Sequence, residues 1–251
     1  MRIDLNSDVG ESYGAWTMGQ DDVLMPLITS ANIACGAHAG DPLVMARTVA
    51  LAVAHGVSIG AHPGYPDRDG FGRRDLDMTD AELEASLLYQ LGALAAFVQA
   101  AGSTIAHVKP HGALYNTIVT NHDQARAVAE AVHAVDPNLP VLGLAGSVFF
   151  GEAERLGLRT VPEAFADRAY RPDGQLVSRR ERNAVLHDSA EIADRVASMV
   201  TSGRVVAVDG STIPITVESV CVHGDSPGAV QIATAVRDRL VSDGIALTAF
   251  V

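Results

Sequence analysis

Lysine is all but missing from this chain: in 251 residues there is one, Lys109, and the other seventeen Lys/Arg positions are arginines. Positive charge is scarce altogether, and the formal net charge of −12 excludes general binding to nucleic acid or anionic membrane, which needs basic patches facing phosphate. Cysteine is limited to Cys35 and Cys221. They lie far apart, each in an apolar strand-like run, which fits buried thiols in a reducing compartment better than a disulfide. Neither G-x-x-x-x-G-K-[ST] nor G-x-G-x-x-G occurs, so a nucleotide would have to be held by the arginine-containing loops at 68–74 and 168–180, or by another chain. No apolar signal region follows the opening Met-Arg-Ile-Asp, and no run reads as a membrane span, so we expect a soluble, cytoplasmic protein. No linker or low-complexity segment divides the chain, and α/β barrels reach this length as one domain; residues 1–251 are expected to form one.

What is present centres on His107-Val-Lys109-Pro110-His111-Gly-Ala-Leu-Tyr115-Asn116. A chain that uses guanidinium elsewhere has kept one ammonium here, a compact point charge whose pKa moves readily on burial. On a strand, His107, Lys109 and His111 share one face. Pro110 cannot donate to a ladder, so the strand should end there and leave its last polar groups at a rim.

The rest of the chain repeats one theme. Ile3 to Val9 alternates apolar and polar residues, Ser30 to Gly36 and Val57 to His62 are short apolar runs, and the lysine stretch is led in by Thr104-Ile105-Ala106. Pro140 to Ala145, Thr160 to Arg168 and Val217 to Val222 complete seven expected strands. Helices are expected over 21–29, 42–55, 79–101, 121–134, 147–156, 188–201 and 227–243. Asp41-Pro42 opens the second of these, Gly56 stops it, and Thr79-x-x-Glu82 is a capping box for the third. Val205 to Val208 and Ile213 to Ile215 suggest a hairpin turning at Asp209-Gly210. Strand alternating with helix implies a parallel sheet. Polar residues at the carboxyl ends of nearly all strands favour a seven-stranded parallel β/α barrel over an open sheet, because a barrel brings those ends to one mouth.

Asp8, Glu11, His38, His62, Lys109, His111, Glu163, His223 and Asp225 would then ring one cavity. Asp8, His38 and His62 could hold a divalent metal through one carboxylate and two imidazoles. Alternatively, Asp8 or Glu11 acts as general base on water, a histidine shuttles protons, and Lys109 counters negative charge on an oxyanion or phosphate. The candidate catalytic residues are Asp8, Glu11, Lys109 and His111. Candidate substrate-binding residues are Asn6, His38, His62, Asn116, His223 and Asp225, with Arg73 and Arg168 from the loops.

Six stretches carry a resemblance that spans almost the whole chain: Asp4-Leu-Asn-Ser-Asp8-Val-Gly-Glu11, Ser30 to Pro42, Gly60-Ala-His-Pro-Gly-Tyr-Pro66, His107 to Asn116, Glu163 to Tyr170, and Cys221-Val-His-Gly-Asp225. In these the chain resembles the LamB/YcsF family, the A subunits of bacterial 5-oxoprolinases. The resemblance implies a barrel related to carbohydrate deacetylases and a role in the ATP-dependent opening of 5-oxo-L-proline to L-glutamate, with partner subunits B and C. Two departures stand out: Ser7 where the family usually has cysteine, and Val9 where it has leucine. Strand alternation points Ser7 away from the face bearing Asp8. Two other readings stay open: a metal-dependent deacetylase or amidohydrolase acting on a small amide or sugar, and a substrate-binding subunit whose partners do the chemistry. Self-association is also left open.

Overall fold

The computed structural model describes residues 1–224 and 228–251. Seven parallel strands close into a barrel: β1 (Arg2–Val9), β2 (Ser30–Ala34), β3 (Ser58–His62), β4 (His107–Val108), β5 (Val141–Leu144), β6 (Thr160–Phe165) and β9 (Ser219–Cys221). Closure comes from β9, which pairs with β6 through Glu163↔Ser219 and with β1 through Asp4↔Ser219. Between β6 and β9, strands β7 (Arg204–Val206) and β8 (Thr212–Pro214) form the antiparallel hairpin expected at Asp209-Gly210. Strand β10 (Ala246–Leu247), which the sequence pattern did not announce, pairs with Arg2 and Ile3 of β1.

The helices are α1 (Asp21–Leu24), α2 (Pro42–His55), α3 (Asp80–Ala100), α4 (Gly112–Thr117), α5 (His122–Val135), α6 (Val148–Arg155), α7 (Ser189–Ser202) and α8 (Ala229–Ser242). Their ends follow from local chemistry. The Asp41 carboxylate accepts from the Leu43 and Val44 amides, and Gly56 closes α2 in the left-handed conformation at φ 66°. Thr79 and Glu82 form the capping box of α3. Helix α4 was not expected: it begins directly after His111, where the strand reading stopped.

Helix α3 bears on the expectation that no segment spans a membrane. It is long and apolar enough, by length and composition, to cross a membrane. Its stripe of Leu83, Leu87, Leu91, Leu94 and Val98 is nevertheless buried in the main apolar core, and the helix packs against α5.

The barrel is lined the opposite way from its exterior. On β1, Ile3, Leu5 and Val9 belong to the apolar core, whereas Asp4, Asn6 and Asp8 join a polar network. Asp4 accepts from the Thr29 and Ser30 hydroxyls at 2.6 Å each and from Ser219. Asn6 donates to Glu163 at 2.8 Å and accepts from Asn32 at 2.7 Å, and His107 Nε2 lies 2.8 Å from Asn32 Oδ1. Asp4, Asn6, Ser30, Asn32, His107, Glu163 and Ser219 are buried, and burial is tolerable because each side chain makes at least one hydrogen bond. Gly60 makes the network fit: a Cβ there would stand 1.9 Å from His107 Nε2.

Candidate active site

The carboxyl ends of the strands surround a cavity of about 540 Å³ lined by Asp8, His62, Lys109, His111, Tyr115 and His223, among others, with arginines toward its rim. Pro110 does end the strand, but the ladder pattern persists past β4: the Lys109 amide donates to Ala61 O at 2.9 Å and the His111 amide to Pro63 O at 2.8 Å. The alternation therefore holds, and His107, Lys109 and His111 all enter the polar interior.

Lys109 is clamped. Its Nζ lies 3.0 Å from Asp8 Oδ1, 2.8 Å from Glu163 Oε1, 3.2 Å from Asn6 Oδ1 and 3.2 Å from Cys221 Sγ. Burial alone would depress its pKa, but the flanking carboxylates, Asp8 foremost, outweigh burial and hold it well above the usual lysine value. Burial would likewise raise Asp8; the adjoining His62 and Lys109 reverse this and hold its carboxyl well below the usual range. Tyr115 lines the same cavity, its hydroxyl pushed well above the phenolic range by burial and then by the Glu163 charge. Cys221 is a buried free thiol, as is Cys35, and burial drives both pKa values up.

Three imidazoles and a carboxylate stand at the cavity floor and behind it. His62 Nδ1 faces Lys109 O at 2.7 Å and His111 Nε2 faces Phe71 O at 2.8 Å. A carbonyl only accepts, so these nitrogens carry the protons. The opposite nitrogens, His62 Nε2 and His111 Nδ1, then approach each other at 3.0 Å. His38 stacks on His111 with ring centroids 3.7 Å apart. Glu11 Oε1 lies 3.4 Å from His38 Nε2 and 3.3 Å from His111 Nδ1. Burial, and then the neighbouring imidazoles, push His38 and His111 well below the ordinary histidine pKa, so both are neutral. The loop after β3 covers this stack. Gly72, at φ 62°, leaves no room for a Cβ, which would fall 2.8 Å from His38 Cβ and from His111 Cδ2.

Across the mouth, His223 Nδ1 donates to Asp167 Oδ1 at 2.6 Å, and the ring stacks on Phe165 at 5.4 Å. Burial opposes ionisation of Asp167, but the facing His223 outweighs it and lowers the carboxyl pKa. A ligating atom of His223 and one of Asp8 lie within 4.8 Å.

The sequence-derived candidates thus sort by depth. Asp8, His62, Lys109, His111, Asn116 and His223 line the cavity, together with Arg73 and Arg168. Asn6 lies beneath the floor, fully buried and engaged with Glu163 and Lys109. Glu11 and His38 lie behind His62 and His111, joined to them by the contacts above. Arg168 is buried and braces the mouth loop by donating to Val177 O at 2.5 Å and Ala184 O at 3.4 Å. Burial, and then Arg179, bring its pKa down to about 10. Asp225 lies outside the described residues. Of the expected metal set of Asp8, His38 and His62, Asp8 Oδ2 lies 3.4 Å from His62 Nε2 while Asp8 Oδ1 is engaged by Lys109 and Asn32; the ligand atoms of His38 and His62 also group with those of Glu11 and His111, all within 4.8 Å of one another. Sequence reading missed Asp167 and Tyr115 as site groups. Asp167 ends a strand as the other candidates do, so the same signal was available.

The LamB/YcsF family model matches residues 3–251. A relative from Mycolicibacterium gilvum (strain PYR-GCK), named as a 5-oxoprolinase A subunit, is 68% identical over 248 residues, covering 99% of this chain and 98% of that protein. The crystal structure of a lactam utilization protein from Thermus thermophilus is 47% identical with a TM-score of 0.95 and full coverage of both chains. A structure described as T48 deacetylase with substrate shares the fold alone, at TM-score 0.51 and 13% identity, covering 98% of this chain and 87% of its own. The chain belongs to the LamB/YcsF family.

Proposed function

We propose that this chain, as one catalytic β/α-barrel domain spanning 1–251, is the A subunit of a cytoplasmic 5-oxoprolinase. It would open the lactam of 5-oxo-L-proline to L-glutamate with ATP and partner subunits B and C. The near-complete match to proteins of that name supports the reading. The observation that carries it is the buried Lys109 ammonium between Asp8 and Glu163, at the floor of a cavity rimmed by arginines.

A lactam is a resonance-stabilised amide and resists water. Transfer of the γ-phosphoryl group of ATP to the lactam oxygen releases ADP and leaves an O-phosphorylated imidate, whose carbon accepts water. The resulting tetrahedral carbon expels the ring nitrogen as the amine, and the acyl phosphate left behind is hydrolysed by a second water to glutamate and inorganic phosphate. Lys109 supplies a fixed positive charge to the oxygen on which negative charge develops. Arg73 and Arg168 at the cavity wall suit the substrate carboxylate or the phosphoryl group, and partner subunits hold the rest of ATP.

The proton from water goes to His223, whose Nδ1 is tied to Asp167 and whose Nε2 is left to accept it. Asp8 is a weak base when its conjugate acid is this strong, so it serves to orient Lys109 and the water. His111 and His62 wall the same cavity, and Asn116 borders it. A divalent cation held by the neighbouring imidazoles would add a Lewis acid beside Asp8, and the steps above proceed without it.

Glutamate release from 5-oxoproline and ATP, measured with this chain alone and then with B and C, tests the assignment. Release in the full mixture only is expected. No release from three folded, assembled proteins would overturn it. ATP-independent release of acetate from an N-acetyl sugar would support the deacetylase reading, which the shared fold favours. Full activity after loss of the cavity carboxylates and histidines would support a subunit that only binds substrate.

A further inference from the structure

We infer that Arg168 and Arg179, on the loop after β6, form a subsite for a tetrahedral phosphoryl dianion in the cavity wall. The inference rests on the lactam reading and deepens it: this chain itself receives the phosphate, without a nucleotide or a partner to hold it.

The charge distribution carries the argument. The chain has a net charge of −12, yet among the described residues the cavity lining holds five of the arginines and Lys109 against two carboxylates, Asp8 and Asp75. Cations gathered in a cleft, against the sign of the whole protein, draw anions into it. Some of them already have counter-ions. Lys109 is held between Asp8 at 3.0 Å and Glu163 at 2.8 Å, and Arg171 pairs with Glu181 at 2.5 Å. Arg179 is half-buried, and its guanidinium has no ion pair or hydrogen bond among the described residues. The carboxylate whose charge acts on both Arg168 and Arg179 is Asp167, and it accepts from His223 at 2.6 Å. Burial, and then the Arg179 charge, lower the Arg168 pKa; the two cations repel, and an anion between them relieves the repulsion.

The loop holds this pair in place. Its two sides are laced together by backbone hydrogen bonds, Val177 N to Ala169 O at 2.9 Å, Ala169 N to Ala184 O at 3.0 Å and Leu186 N to Asp167 O at 2.7 Å. Arg168, 5% exposed, spans the base of the arc that carries Arg179 by donating to Val177 O and Ala184 O. Those two bonds fix the plane of its guanidinium and use two of its five N–H donors, leaving the others for an anion. A carboxylate would neutralise one guanidinium of the pair. A phosphate dianion neutralises both and offers three acceptor oxygens to their forks.

The purified chain, in phosphate-free buffer at about pH 8, where a phosphate group is a dianion, is titrated with inorganic phosphate by calorimetry. We expect one equivalent bound per chain, at least about tenfold more tightly than acetate. Arg179→Gln should weaken phosphate binding by at least about tenfold, and Arg168→Lys, which keeps the charge but not the fork, should weaken it as well. Arg204→Gln, at an exposed position on β7, should leave it unchanged. In the assembled complex phosphate should inhibit glutamate release, and Arg179→Gln should relieve that inhibition. Acetate bound as tightly as phosphate, or undiminished phosphate binding in folded Arg179→Gln, would overturn the subsite. ATP bound by the isolated chain more tightly than phosphate, and in competition with it, would overturn it by giving the wall to the nucleotide. The two readings fail separately. Glutamate release by the complex with no phosphate binding to this chain sinks the subsite alone, and phosphate binding with no glutamate release sinks the lactam reading alone.

Discussion

Lys109 Nζ lies 2.8 Å from Glu163 Oε1, and both side chains are closed off from water. A charge pair of this kind is costly to break from one side, by roughly 3–5 kcal/mol, because the remaining charge stays buried. Lys109→Met should therefore lower the melting temperature sharply, and Lys109→Met/Glu163→Gln should recover part of the loss. Turnover in the assembled complex should fall at least about a hundredfold in both variants if the ammonium stabilises the transition state. Rates near wild type in Lys109→Met would remove this residue from the mechanism.

Asp167 touches no substrate in the proposed reaction; it positions His223. Asp167→Asn should lower kcat by roughly a hundredfold or more with KM little changed, and should alter the pH profile of kcat. Steady-state kinetics across pH separate the outcomes. A rise in KM with kcat intact would assign Asp167 to binding instead.

Gly60 has no space for a methyl group, since the atom its Cβ would meet at 1.9 Å belongs to the buried His107 ring. Gly60→Ala should destabilise the barrel by about 1–3 kcal/mol or more, read as a lower urea midpoint. Gly60→Ala/His107→Ala should be closer to wild type than the sum of the two single changes. Strict additivity would show that the ring is not what the methyl group meets.

His107 gives the fold an acid-sensitive element. Burial, and secondarily the Lys109 charge, push its pKa down to about 3, whereas an unfolded histidine titrates near pH 6.5. Between these values the unfolded chain binds a proton that the folded chain refuses, so stability falls as pH drops. The contribution is fully present above about pH 6.5 and is lost toward pH 3, at up to about 1.4 kcal/mol per pH unit. His107→Asn should flatten the dependence of the urea midpoint on pH between 6 and 4 relative to wild type. An unchanged slope would mean that His107 is already protonated in the folded state.

Much of the architecture was legible because its causes are local. The alternation over Ile3 to Val9, the cap at Asp41-Pro42, the Thr79/Glu82 capping box and the Asp-Gly hairpin each depend on residues a few positions apart, and each was found in place. Where local signals were weak, the reading was incomplete. Helix α4 follows His111 with no capping side chain, and β10 is two residues long and exists through its pairing with β1. Helix α3 passes the length test for a membrane span because apolar content alone does not tell lipid from a protein core.

By itself, the amino-acid sequence determined that polar residues would stand at strand ends, that those ends would meet in one mouth, and that the sole lysine would be among them. Periodicity and closure of a parallel barrel suffice for that. Only the tertiary structure decided who meets whom: Lys109 with Glu163, His223 with Asp167, Asp8 with His62, and Glu11 with His38 and His111. These partners lie on different strands. Their separations depend on register, on side-chain direction across the lumen and on the loop that brings the Phe71 carbonyl to His111, none of which a one-dimensional pattern encodes.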